Sequence, residues 1–120
     1  YEASGRPRVY ITVAGRSNAL SGYTCGAVEA PVIACPPPSE AYGGADVFSS
    51  LRMPSGVAPA VVLEPANAAL LAAKILGLGD QGIAARVRAA RTAAAEAILA
   101  DDAALRGEEE AKRRAGEEAR

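Results

Sequence analysis

The sequence predicts an α/β domain built on a parallel sheet and followed by a long amphipathic helix. Three observations carry that expectation. Arg8–Val13, Pro31–Cys35 and Ala58–Leu63 are short apolar runs rich in β-branched residues, the composition of strands covered on both faces. Helical stretches separate them, and alternating strands and helices build a parallel sheet. From Asp80 onward the apolar residues recur at helical spacing instead.

Tyr1–Pro7 is a polar lead-in to the first strand, whose residues Val9 to Val13 are all β-branched or aromatic. Ala14-Gly15 then removes side-chain bulk, and the chain enters the loop Arg16-Ser-Asn18. Ligands collect at this carboxyl edge in open α/β sheets. Two readings of the loop stand side by side. It is a small-molecule site, or it is a strand-to-helix turn with Ser17 or Asn18 as the helix cap. Ala19–Ala30 contains a short helix, which Gly22 and Gly26 keep from being long.

Pro31 opens the second strand, where no ladder donor is needed. Pro36-Pro-Pro38 stops it, because proline has no N–H and holds the preceding residue extended. Ser39–Gly44 is a loop and Ala45–Met53 a helix with Val47, Phe48 and Leu51 on its apolar face. The third strand, Ala58–Leu63, leads to Pro65 in the first turn of a helix. That helix runs to about Leu78, with Leu70, Leu71, Ile75 and Leu78 at helical spacing, and Gly77 and Gly79 mark its end.

Asp80 is the expected N-cap of the last helix. Ile83, Val87, Ala90, Ala94, Ile98 and Leu105 form one apolar stripe that needs a partner, either the sheet or a neighbouring subunit. Gly107 is expected to interrupt this helix. Beyond it, Glu108–Glu110, Lys112–Arg114 and Glu117-Glu118 make a charged tail, read as solvated helix or disorder, or else as a docking tail. The expected division is residues 1–79, 80–106 and 107–120. Three strands are few for such a sheet, which hints that part of the fold lies outside this chain.

Composition narrows the chemistry. The 120 residues suffice for one small domain. One Phe, four Tyr and no Trp leave a core of small side chains, so elements must pack closely or bury further surface by oligomerising. With 13 basic and 14 acidic residues the net charge is −1, which makes no electrostatic case for nucleic acid. No run approaches the roughly 20 apolar residues of a membrane span. There is no histidine, so this chain offers no imidazole base, metal ligand or Ser-His-Asp triad. Cys25 and Cys35 lack metal-ligand spacing. Cys35 reads as a buried thiol and Cys25 as a more accessible one, with a disulfide between them left open.

If the sheet is parallel, the loops Ala14–Asn18, Pro36–Asp46 and Glu64–Asn67 share one edge. Together with the segment after Asp46 they offer Arg16, Ser17, Asn18, Ser39, Asp46, Ser49, Ser50, Arg52, Ser55, Glu64 and Asn67. Asp46 and Arg52 also fit a plain charge complement to the two ends of a helix. Ser49-Ser50 reads as a packing contact, because no base accompanies it. The glycines form no phosphate-loop pattern.

Four segments carry a family resemblance: Ala14-Gly-Arg-Ser-Asn-Ala-Leu-Ser-Gly22, Ile33-Ala-Cys-Pro-Pro-Pro-Ser39, Ala45-Asp-Val-Phe-Ser-Ser-Leu-Arg-Met-Pro-Ser-Gly56 and Val62-Leu-Glu-Pro-Ala-Asn-Ala-Ala-Leu-Leu-Ala-Ala73. In order and spacing they resemble the C-terminal half of phosphoribosylaminoimidazole carboxylase, with the closer match to its class II. The resemblance runs from Tyr1 to about Arg106. It implies a three-layer α/β/α fold, flavodoxin- or Rossmann-like, in a homo-oligomer whose C-terminal helix packs on a neighbour. It implies carboxylation of aminoimidazole ribonucleotide with carbon dioxide in purine synthesis, a lyase-type reaction without ATP, metal, biotin or other cofactor. The cytoplasm is the expected setting. Ala14, Gly15, Arg16, Ser17, Asn18 and Leu20 match the substrate-side loop, beside the aminoimidazole and the new carboxylate.

The family's N-terminal phosphate loop and proton-transfer histidine have no counterpart in this sequence. No catalytic residue is therefore assigned here, and this half-domain is expected to be inactive by itself. Its expected partner is the N-terminal half, in the same or a separate chain. The alternative is a catalytically inactive accessory subunit of a larger assembly.

Overall fold

The structure, a computed structural model, describes residues 2–15 and 17–118. Its first compact unit, Tyr1–Ala84, is built on three parallel strands in chain order: β1 (Tyr10–Thr12), β2 (Val32–Ala34) and β3 (Ala60–Val61). Ile11 stands beside Ile33, and Ala34 beside Val61. Backbone bonds from Cys35 N–H to Thr12 O (2.8 Å) and from Val62 N–H to Ala34 O (3.0 Å) carry the pairing past the strand ends.

The core lies around β2. Val32, Ile33, Ala34 and Cys35 are all buried. Ile33 and Cys35 share one face by strand alternation and pack with Ala68 and Ala72. Those alanines belong to the helix that follows β3, and their small side chains let it approach closely. Val9, Val62, Leu71 and Ile75 close around them. β1 departs from the expectation of cover on both faces: Ile11 is 40% exposed and Val13 60%. Among the described residues β1 is an edge strand paired with β2 alone, and the cover that reaches Ile33 at the sheet centre thins out at Ile11.

α1 (Ala19–Ala27) connects β1 to β2 and packs on β2, with Ser21 buried. The connection from β2 to β3 differs from the single helix expected over Ala45–Met53. A 3₁₀ segment, Ala41–Val47, comes first and α2 (Phe48–Leu51) follows. The 3₁₀ segment is kinked: Tyr42, Gly43 and Gly44 have φ of 52°, 61° and 83°. Two glycines make that left-handed passage accessible, and regular helix starts only after it. The expected apolar face is not buried, for Phe48 and Leu51 are 65% and 60% exposed while Ser50 is 4% exposed.

α3 (Pro65–Leu76) starts on Pro65 as expected and ends slightly earlier than Leu78. Its buried residues are Ala68 and Ala72, with Leu71 and Ile75 part-buried, whereas Leu78 is 87% exposed. Gly77 follows at the C-cap, with its N–H on Ala73 O at 2.8 Å. A Cβ there would stand 3.1 Å from Ala73 O and 3.3 Å from the Ala84 backbone.

α4 (Gln81–Glu118) begins at the expected cap, where Ile83 N–H donates to Asp80 Oδ1 at 3.0 Å. It runs unbroken through Gly107, which corrects the expected interruption there. One glycine costs a helix only about 1 kcal/mol, and pairs such as Arg106–Asp102, 3.0 Å apart, lie at the supporting i,i+4 spacing. The charged segment beyond Gly107 is thus helix as far as Glu118. The second compact unit, Ala85–Arg120, is this helix from Ala85 to Glu118 among its described residues, and Ile98 and Leu105 of the expected stripe are 70% and 61% exposed. No helix among the described residues is long and apolar enough to cross a membrane.

Candidate functional site

A cavity of about 280 Å³ opens at the carboxyl edge of the sheet. Parallel pairing is what gathers its walls, because the chain leaves β1, β2 and β3 at the same end. The loop after β1 supplies Ala14, Gly15 and Ser17; the loop after β2 supplies Pro36, Pro37, Pro38 and Ser39; Leu63 comes from the end of β3. Gly44, Asp46, Val47, Ser49 and Ser50, from the kinked segment and α2, complete the lining.

Local chemistry explains the shape. The three prolines cannot extend the ladder, so the chain turns away from β2 and presents rigid ring faces. Gly15 lets the opposing loop come close: a Cβ on it would stand 3.4 Å from Pro37 Cγ. The buried Cys35 thiol donates to Leu63 O at 3.6 Å, joining the ends of β2 and β3 beneath the cavity. Ser39 Oγ accepts from Ala41 N–H at 3.1 Å and so holds the start of the 3₁₀ segment. Ser49 Oγ donates to Asp46 O at 2.8 Å, which agrees with the structural role expected of that serine.

The residues expected at the substrate-side loop separate into three groups. Ala14, Gly15 and Ser17 line the cavity. Asn18 and Leu20 do not line it. Asn18 sits at the N-cap of α1 without a side-chain capping bond, and its Nδ2 lies 4.0 Å from Met53 Sδ as donor. Leu20 has entered α1 and is 47% exposed. Arg16 lies outside the described residues. Among the wider candidates, Ser39, Asp46, Ser49 and Ser50 are brought together, whereas Arg52, Ser55, Glu64 and Asn67 are not part of the lining. Val47 and Leu63 were not named as site residues from sequence; Val47 was expected only on the apolar face of its helix. Their signal was the position of each next to a post-strand loop.

Cys25 and Cys35 are both free thiols. Cys25 is half-buried and accepts from Ala58 N–H at 3.3 Å, while Cys35 is buried. Among the described residues no three His, Cys, Asp or Glu side chains cluster in a way that could hold a metal ion. The lining combines flat prolines with serines and one acidic residue, a set of residue types suited to a planar ring that bears hydrogen-bond donors.

A family model described as AIR carboxylase matches residues 1–97. Phosphoribosylaminoimidazole carboxylase of Treponema denticola is 58% identical over 106 residues, 88% of this chain and 67% of that protein. The protein of the same name from Archaeoglobus fulgidus is 61% identical over 79 residues, 66% of this chain and 44% of that protein. Bifunctional phosphoribosylaminoimidazole carboxylase/phosphoribosylaminoimidazole succinocarboxamide synthetase of Homo sapiens is 45% identical over 89 residues, covering 74% of this chain and 21% of that protein. A crystal structure of Treponema denticola PurE superposes with a TM-score of 0.85 at 58% identity, over 88% of this chain and 66% of that one. The chain thus spans about two thirds of its Treponema relative and less than half of the Archaeoglobus one.

Proposed function

Because the chain belongs to the AIR carboxylase family, we propose that it forms one wall of a class II carboxylase site. In that site aminoimidazole ribonucleotide reacts with carbon dioxide. The observation that carries the reading is the cavity lined by Ala14, Gly15 and Ser17, at the Ala-Gly-Arg-Ser-Asn loop where the class II resemblance is most specific. In the reaction the ring carbon beside the amine-bearing carbon attacks carbon dioxide; a C–C bond forms and the ring proton leaves. The prolines offer the ring a flat apolar face, and Ser17 is the polar group of this loop available to the new carboxylate.

Proton removal and the grip on the ribose phosphate are assigned to an N-terminal half outside these residues, on the same or a separate chain. The absence of histidine from the 120 residues and the coverage of about two thirds of the Treponema relative support that division. We further read the three strands as part of a three-layer α/β/α, flavodoxin- or Rossmann-like sheet, in a cytoplasmic homo-oligomer where α4 packs on a neighbour. Mixing the chain with the N-terminal half of the Treponema relative tests this. Carbon dioxide-dependent consumption of aminoimidazole ribonucleotide is expected only in the mixture. A properly assembled complex without turnover would overturn it.

The lack of histidine also favours a second reading, an inactive accessory subunit. Purification of the native protein separates the two. Stable association with unrelated subunits, without a complementary carboxylase half, supports the accessory role.

A further inference from the structure

We propose that Asp46 is a specificity residue that accepts a hydrogen bond from the exocyclic amine of the substrate and disfavours the carboxylated product in the same cavity. The inference rests on the carboxylase reading. Asp46 is half-buried and is the only ionisable residue among the described residues lining the cavity. Its backbone carbonyl is held by Ser49 Oγ at 2.8 Å, so its position is fixed by the start of α2. Its carboxylate makes no hydrogen bond or ion pair among the described residues. A part-buried carboxylate without a protein donor is matched by a ligand that brings one.

Aminoimidazole ribonucleotide brings such a donor. Its amine carries N–H groups on the plane of a flat ring, and Pro36, Pro37 and Pro38 give the cavity that holds Asp46 an apolar wall against which such a ring can lie. The hydroxyls of Ser17 and Ser39 can each donate or accept, so they do not discriminate by charge. Asp46 does. The amine-bearing carbon adjoins the carbon that gains carbon dioxide, so the product carries a carboxylate beside the group that Asp46 binds. Two carboxylates within a few ångströms repel. The same side chain therefore holds the substrate and loosens the product.

Asp46→Asn keeps an acceptor and the side-chain shape but removes the charge. In the assembled enzyme, the KM for aminoimidazole ribonucleotide is expected to rise about tenfold, as for loss of a charge-assisted hydrogen bond. The inhibition constant of the carboxylated product is expected to fall severalfold. Asp46→Glu, which keeps the charge, is expected to retain weak product binding. A merely structural role would weaken substrate and product together, and circular dichroism on each variant checks the fold. Parallel changes, or no change, in the two constants would overturn the proposal while the carboxylase reading stands. If the assembled wild-type enzyme neither binds nor turns over the ribonucleotide, the carboxylase reading fails and this proposal fails with it.

Discussion

Gly15 packs beside Pro37 at the rim of the cavity so closely that a methyl group on Gly15 would meet Pro37 Cγ at 3.4 Å. That separation is ordinary van der Waals contact, so Gly15→Ala fits with little strain. Gly15→Leu has no such room and must project into the cavity or push the proline loop away. Affinity for aminoimidazole ribonucleotide, measured by calorimetry on the assembled enzyme, is expected to fall at least about tenfold for the leucine variant, about 1.4 kcal/mol. The melting temperature should change little, because the site is at the surface edge of the sheet and not in the core around Ile33.

Ile33 is fully buried at the centre of that core, against Cys35, Ala68 and Ala72. Ile33→Ala removes methylenes that the rigid sheet cannot refill. A loss of about 2–5 kcal/mol is expected from the transfer and cavity terms, read from the urea midpoint. Ile33→Val, with one methylene fewer, is expected to cost about 0.5–1.5 kcal/mol.

Gly77 is packed against backbone rather than against movable side chains. A Cβ would approach Ala73 O to 3.1 Å and the Ala84 backbone to 3.3 Å. Gly77→Ala is therefore expected to destabilise by about 1–3 kcal/mol, the range for overpacking, despite alanine's better helix propensity. Gly79→Ala, with no atom near its Cβ position, is the control and should change stability by well under about 1 kcal/mol.

The Asp80 carboxylate satisfies the Ile83 N–H at 3.0 Å. Asp80→Ala leaves that donor to solvent and is expected to cost about 0.5–2 kcal/mol, whereas Asp80→Asn keeps the cap at nearly full strength. Thermal denaturation followed by circular dichroism distinguishes the two.

Cys25 is half-buried and Cys35 is 1% exposed. An aromatic disulfide reagent should therefore label Cys25 in the native protein and Cys35 only after denaturation. Equal labelling rates for the two thiols would contradict the placement of Cys35 beneath the cavity.

The strands were legible because Val-Ile-Ala and Ala-Val-Val runs have few other uses, and Pro31 and Pro36 bound the second one. Pro65 and Gly77 marked both ends of α3 for equally local reasons. What could not be read was which apolar residues turn inward. Phe48 and Leu51 are spaced like a buried face, but the left-handed turn at Tyr42–Gly44 re-aims that segment and Ser50 goes inside instead. Gly107 looked like a stop because glycine penalises a helix locally, while the supporting charges are three and four residues away.

At the site, the post-strand loops could be placed on one edge from sequence, and Ser17, Ser39 and Asp46 were named as candidates there. Asn18 and Leu20 were grouped with the loop because sequence alone does not show that α1 has already begun. Glu64 and Asn67 were offered by the third loop, but the cavity takes only Leu63 from that end of the sheet.

The order of the strands has a consequence for how the chain acquires its shape. Each strand pairs with its neighbour in sequence, so β1 and β2 are joined before β3 is required. Such short-range pairing lowers contact order relative to sheets that insert a late strand between early ones, and lower contact order speeds folding. During synthesis the β1–β2 unit can assemble on the ribosome with α1 across it, and the cavity gains its Leu63 wall only when β3 emerges.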